Sequence, residues 1–380
     1  MSHMHLVDST LFYSPTSGGV KRYLTAKHTW LSERTSWEHT IIVPGEVDHF
    51  ERGGICTLAG GTVPGSSSYR MPLDPRRWIQ LMIALEPSLL EAGDPFHPAW
   101  CAWQVARTRG IPLVAFYHSN LPRLAGGGLS SRAVKRYVRW LYERFDLVFA
   151  PSRLMCDFLQ DLGVHQTCLQ PHGVDADVFH PGRRNPRMRE VLGLPSESRV
   201  LVYVGRFAPE KNLPVLIRAF ELLGPPYHLL MIGGDTAADQ LQPNVTTIPY
   251  RRDSRELARW VASADALVHA GTQETFGLAA LEAMACGRPV VAARAGALPE
   301  LVDERVGQLA EPGSPESLAE AIAALYERDI EAVGAKARAR VQRRFTWDRA
   351  FQAQTAIYAR LLGLCGRVTI PDEEPVIDVQ

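Results

Sequence analysis

Short apolar runs recur along the chain. They are separated by stretches in which apolar residues return every three or four positions. The runs at 5–7, 40–43, 113–117, 147–150, 200–204, 229–232, 266–269 and 289–292 are apolar on both faces, as parallel strands covered by helices are. Strand and helix signals alternate, and that alternation predicts doubly wound α/β architecture. The clearest repeat of strand, helix and strand spans 200–232. It reads strand, Gly205 turn, an amphipathic helix over 213–223, the stop Gly224-Pro225-Pro226, then a second strand.

A chain of 380 residues exceeds one ordinary core and predicts two domains. The segment 180–198, rich in Pro, Gly and Arg, reads as the connection between them. An N-terminal domain is expected over 1–178 and a C-terminal domain over 183–345. A last helix over 346–363 is expected to pack back on the first domain, and a tail over 367–380 to be disordered. Formal net charge is zero, which removes any bulk field for nucleic acid. The six cysteines include no C-x-x-C pair, which argues against a zinc site or a disulfide framework. The sequence shows neither a leader pattern nor an apolar run long enough for a membrane span. A cytoplasmic protein is expected, with any contact at the inner face of a membrane being peripheral.

Three constellations carry chemistry. Segment 273–289 reads QETFGLAALEAMACGRP. Glu274 falls in a loop after a strand, and Glu282 follows on a helix expected to start near Phe276. The backbone N–H groups of Thr275, Phe276, Gly277 and Leu278 would face an anion at the helix start. The lesser alternative is a surface helix with two solvated glutamates. Segment 205–212, GRFAPEKN, follows a strand at its carboxyl end, where open α/β sheets bind ligands. There Arg206 and Lys211 could hold a diphosphate. Gly18 and Gly19 lie in the first strand-to-helix loop, where paired glycines let backbone approach a ligand. His118 ends another strand.

Taken together, these features resemble retaining glycosyltransferases of family 4, which have the GT-B fold. Further matches are Pro171-His172-Gly173-Val174-Asp175, Ile232-Gly233-Gly234-Asp235 and the run from Ala283 to Val290. The resemblance implies two Rossmann-like, doubly wound parallel-sheet domains facing across a cleft. It implies transfer of a hexose from a GDP- or UDP-sugar without a metal or other cofactor, and family membership alone favours mannose or glucose. It assigns Arg206 and Lys211 to the diphosphate, with Gly205 in their loop. Glu274 goes to the hexose hydroxyls and Glu282 to the ribose. Thr275, Phe276, Gly277 and Leu278 lie by the phosphates. Gly18 and Gly19 flank the β-phosphate, and His118 faces the transferred sugar. Tyr250 and Gly234 flank the base, although Gly234-Asp235-Thr236 departs from the common pattern there.

Two alternatives stay open: a GT-B enzyme of another reaction type, such as an epimerase or phosphorylase, and a non-catalytic sugar-nucleotide-binding protein. The acceptor is expected to be a glycan or a lipid-linked molecule. Segment 131–146 sets Arg132, Lys135, Arg136 and Arg139 on one helical face. That face suits an anionic membrane surface; plain solvation of a helix packed on its own sheet is the favoured reading, and the two are not exclusive.

Overall fold

The computed structural model describes residues 4–13, 18–62, 69–72, 74–118, 129–234 and 242–364. The tail expected to be disordered lies outside them, as do Asp235 and Thr236. The chain divides into two compact units, Met1–Pro171 with Trp347–Gln380, and His172–Thr346.

The first unit carries a sheet in the order β4-β3-β2-β1-β5-β6-β7-β8. Its strands are β1 (His5–Ser9), β2 (Glu38–Gly45), β3 (Ile55–Thr62), β4 (Arg70–Pro72), β5 (Leu89–Ala92), β6 (Leu113–Phe116), β7 (Leu147–Ala150) and β8 (Thr167–Leu169). All pairings are parallel except β3 with β4. The second unit has six parallel strands in the order β11-β10-β9-β12-β13-β14. They are β9 (Arg199–Val204), β10 (Tyr227–Ile232), β11 (Val245–Ile248), β12 (Ala266–His269), β13 (Val290–Ala293) and β14 (Gly307–Ala310). Both sheets are doubly wound, as the alternating pattern predicts. Each reverses strand order once, between β1 and β5 and between β9 and β12. At such a switch point the neighbouring loops diverge and leave a crevice.

The apolar runs became strands because both faces are covered. Val200, Leu201, Val202 and Tyr203 of β9 are all 0% exposed. The helix Leu213–Leu223 stops at Gly224, whose φ is positive at 59°. The pattern missed β5 because Glu91 interrupts its apolar run.

That glutamate belongs to a buried ionic cluster. Asp8 and Glu91 are direct register partners on β1 and β5, so two carboxylates point into one side of the sheet, where like charges repel. Lys27, from the helix Gly19–Arg34, separates them at 2.9 Å from Asp8 and 3.0 Å from Glu91. His39 Nε2 lies 2.6 Å from Asp8. Tyr23 donates to Glu91 at 3.2 Å, and Tyr358, on the helix Trp347–Leu361, donates to its other oxygen. Burial would raise Asp8, but Lys27 and the His39 hydrogen bond outweigh it and hold Asp8 down to about 2. One lysine does not serve two carboxylates equally. Burial, reinforced by Asp8, pushes Glu91 up to about 7 against the pull of Lys27.

A folded-state pKa above the unfolded one stabilises at low pH, and that stability is lost as pH rises through it. Glu91 therefore costs stability between about pH 5 and 8. Glu91→Gln, which mimics the protonated acid, should gain on the wild type over that window by on the order of 2 kcal/mol. Denaturant unfolding at both pH values reads the gap, and a gap that does not change with pH contradicts the assignment.

Candidate donor site

The loops at the second switch point gather most of the residues singled out above. After β9 the chain passes Gly205 and makes a short 3-10 turn, Pro209–Lys211. It then enters the helix Leu213–Leu223 through Asn212, which is left-handed at φ 51°. The Asn212 side-chain amide donates to the Ala270 carbonyl at 3.3 Å, so the loop after β9 is tied to the loop after β12. This turn aims Lys211 at Glu274, and its ammonium donates to Glu274 Oε1. His269, the last residue of β12, places Nε2 3.1 Å from the same oxygen. Its Nδ1 accepts the Gly271 N–H at 3.1 Å, so the ring proton sits on Nε2 and points at Glu274.

Glu274 is thus held as an anion. Burial alone would raise its carboxyl, but the Lys211 charge and the His269 hydrogen bond hold it well below the usual carboxylate range. Both contacts fall on Oε1. Among the described residues Oε2 has no hydrogen-bond partner, and the side chain keeps 16% of its surface exposed. A fixed, ionised oxygen facing solvent is suited to accept hydrogen bonds from sugar hydroxyls.

Glycines bring the surrounding backbones together. A Cβ at Gly233 would lie 1.8 Å from the Gly205 carbonyl oxygen, so the loops after β9 and β10 touch. Gly234 accepts the Tyr250 N–H at 3.1 Å, which joins the two residues expected near a base. Gly277, at φ 104°, caps the helix Leu278–Ala285. That helix starts two residues later than the sequence suggests. Phe276 is a core residue, 5% exposed, with its ring against His172 and Phe345. Only its backbone can serve an anion. Glu282 is 4% exposed on the same helix.

Arg206 is 76% exposed and pairs with Glu210 at 2.8 Å. Gly18, Gly19 and His118 belong to the first unit. Gly18 precedes the helix Gly19–Arg34, and among the described residues nothing lies within 4 Å of a Cβ built on it. The His118 ring stacks on Phe116 at 4.3 Å and meets the edge of Tyr23 at 5.1 Å. Sequence reading missed His269, although it ends a strand just as His118 does. It also missed Gly296, which is left-handed at φ 59° and would place a Cβ 2.7 Å from the Glu274 carbonyl oxygen. Next to it, the Ala297 N–H donates to that oxygen at 2.9 Å.

Residues 184–342 match the family described as Glycosyl transferases group 1, and residues 17–225 match Glycosyltransferase Family 4. The chain belongs to glycosyltransferase family 4. This glycosyltransferase is 31% identical over 93% of its length, and 95% of the relative's, to the GDP-mannose-dependent alpha-(1-6)-phosphatidylinositol dimannoside mannosyltransferase of Mycobacterium tuberculosis. It is 30% identical to the sulfoquinovosyl transferase SQD2 of Arabidopsis thaliana, over 77% of its own length and 62% of the relative's. Among solved structures, sucrose-phosphate synthase from Thermosynechococcus elongatus shares the fold with TM-score 0.79 and 21% identity, covering 96% of this chain and 100% of that one. Anabaena HepE in complex with UDP and glucose does so with TM-score 0.74 and 20% identity, over 94% and 100%.

Gly296→Ala should move the Glu274 backbone and strain a left-handed position. A loss of about 1–3 kcal/mol is expected, together with weaker nucleotide-sugar binding. Unfolding and calorimetric titration check both, and a variant as stable and as tight as wild type contradicts the role of Gly296.

Proposed function

We propose that this glycosyltransferase is a retaining, metal-independent hexosyltransferase. It moves mannose from GDP-mannose, or glucose from a uridine diphosphate donor, to a lipid-linked or carbohydrate acceptor. The observation that carries the proposal is the ionised Glu274, fixed by Lys211 and His269 at a sheet switch point with one oxygen left to accept. The mycobacterial relative is named for a GDP-mannose donor and a phosphatidylinositol-based acceptor, which supports the mannose and lipid readings.

Breaking the bond between the anomeric carbon and the phosphate oxygen builds negative charge on the diphosphate and positive charge on the carbon. Lys211, Arg206 and the backbone N–H groups of Thr275, Phe276, Gly277 and Leu278 would stabilise the first charge as fixed donors. Glu274 would orient the hexose and Glu282 the ribose. Gly205, Gly234 and Tyr250 would border the nucleotide, and Gly18, Gly19 and His118 the transferred sugar. The acceptor oxygen attacks on the face the diphosphate leaves, and its proton passes to the departing phosphate oxygen. No protein nucleophile is required. Arg132, Lys135, Arg136 and Arg139, all exposed on the helix Leu129–Tyr142, would meet an anionic membrane surface. No described helix is long and apolar enough to cross a membrane.

Glu274→Ala and Lys211→Ala should each lower transfer by about 100-fold or more while the protein stays folded. Mass spectrometry of products from GDP-mannose and UDP-glucose reads this, and near-wild-type turnover in both variants refutes the site. Activity should survive EDTA, because cationic side chains and backbone dipoles stand in for a metal. A loss restored only by a divalent ion contradicts that.

A further inference from the structure

Within the first unit lies a pocket of about 360 Å³ whose apolar lining is Pro75, Ile79, Phe96, Trp100, Cys101 and Tyr137 and whose polar lining is His97 and Gln104. Its size falls within the range of small-ligand sites. Two of its walls are large apolar side chains left in water, Phe96 at 38% and Trp100 at 42% exposed. Trp100 is the most exposed tryptophan of the chain. The polar tips of the aromatic wall are spent on one another. The Trp100 indole N–H donates to the Tyr137 hydroxyl at 3.1 Å, and that hydroxyl donates to the Pro95 carbonyl. What faces the pocket from this wall is therefore mostly hydrocarbon, a poor match for a sugar and a good one for an acyl chain.

The aromatic surface extends both ways. Phe96 meets Phe12 edge-on at 5.9 Å, and Phe12 meets Tyr69 at 6.4 Å. Phe96 itself follows β5, so this end of the track lies at the carboxyl end of the first sheet, beside its switch point. In the other direction Trp100 packs on Trp140 at 4.9 Å and on Trp103 at 6.0 Å. There the rim turns cationic. The Arg144 guanidinium lies 4.0 Å from the Trp140 ring centre, and Arg107 lies 5.0 Å from Trp103. The exposed Arg132, Lys135 and Arg136 sit on the helix that supplies Tyr137 and Trp140. An apolar trough with a positive rim complements a molecule that joins a hydrocarbon chain to an anionic head.

We infer that this pocket seats an acyl chain of an anionic lipid acceptor. The trough would hold the chain while the anionic head lies at the rim formed by Arg107 and Arg144. The inference rests on the lipid-acceptor reading above and adds to it a binding site built from Phe96, Trp100 and Tyr137.

Vesicles of phosphatidylglycerol with brominated acyl chains are the probe, because bromine quenches only indoles that reach the hydrocarbon. Tryptophan emission should fall with brominated but not with unbrominated vesicles. The double variant Phe96→Ser, Trp100→Ala should lower vesicle retention at least tenfold in high salt, where attraction to the basic helix is screened. Phe96→Ser alone, which leaves the Trp100–Tyr137 hydrogen bond in place, should act in the same direction and stands in if the double variant does not fold. Replacing Arg132, Lys135 and Arg136 by Ser should weaken retention at low salt only. The inference is overturned if bound protein shows no bromine-specific quenching, or if the folded pocket variants retain vesicles as wild type does. GDP-mannose turnover without vesicles is read in parallel. Quenching that persists upholds the pocket even if that donor is not used, and normal turnover without quenching refutes the pocket alone.

Discussion

A carboxylate withdrawn from water needs a cation or several hydrogen bonds, and both units meet that demand at the same place in their topology. In each, strand order reverses once, and a lysine joins the elements on the two sides of the reversal. In the first unit Lys27 sits between Asp8 of β1 and Glu91 of β5. In the second, Lys211 after β9 reaches Glu274 after β12. The doubly wound sheet fixes where such pairs can stand, because only at the reversal do two adjacent strands send their following loops to opposite sides.

The two pairs differ in exposure, and exposure separates their roles. Lys27, Asp8 and Glu91 are each 2% exposed or less, and their remaining hydrogen bonds go to Tyr23, His39 and Tyr358. They hold helices on a sheet. Lys211 and Glu274 keep 18% and 16% of their side-chain surface, and Glu274 retains an oxygen without a described partner. The same chemistry that locks one unit is left open in the other, where a ligand can complete it.

Much of this was legible in the sequence, for physical reasons that also mark where reading stopped. Runs such as 147–150 and 266–269 coincide with β7 and β12 because a strand buried on both faces must be apolar throughout. Four-residue β5 carries a glutamate in its interior, so the same rule hides it. Lys211 and Glu274 stood out through their loops at strand ends, but nothing in the spacing shows that they touch. His269 was hidden because its partner Glu274 lies across the turn that follows β12. Gly296 was hidden because a glycine needed for close backbone approach looks like any other loop glycine. Phe276 looked like part of an anion cradle, yet an aromatic residue beside a helix start is at least as useful to the core, and its ring went there. The aromatic trough escaped because Phe96 and Trp100 come from one segment and Tyr137 and Trp140 from another, and only the fold brings the two together.

The central claim is that Glu274 recognises the sugar of the donor rather than its nucleotide. The direct measurement is calorimetric titration of wild type and Glu274→Gln with GDP-mannose and UDP-glucose, each compared with its own nucleoside diphosphate. In the wild type the cognate nucleotide sugar should bind more tightly than the diphosphate alone. Glu274→Gln should lose that increment and keep its affinity for the diphosphate. If the variant keeps the full increment, or loses sugar and diphosphate binding equally, Glu274 does not hold the hexose and the account fails.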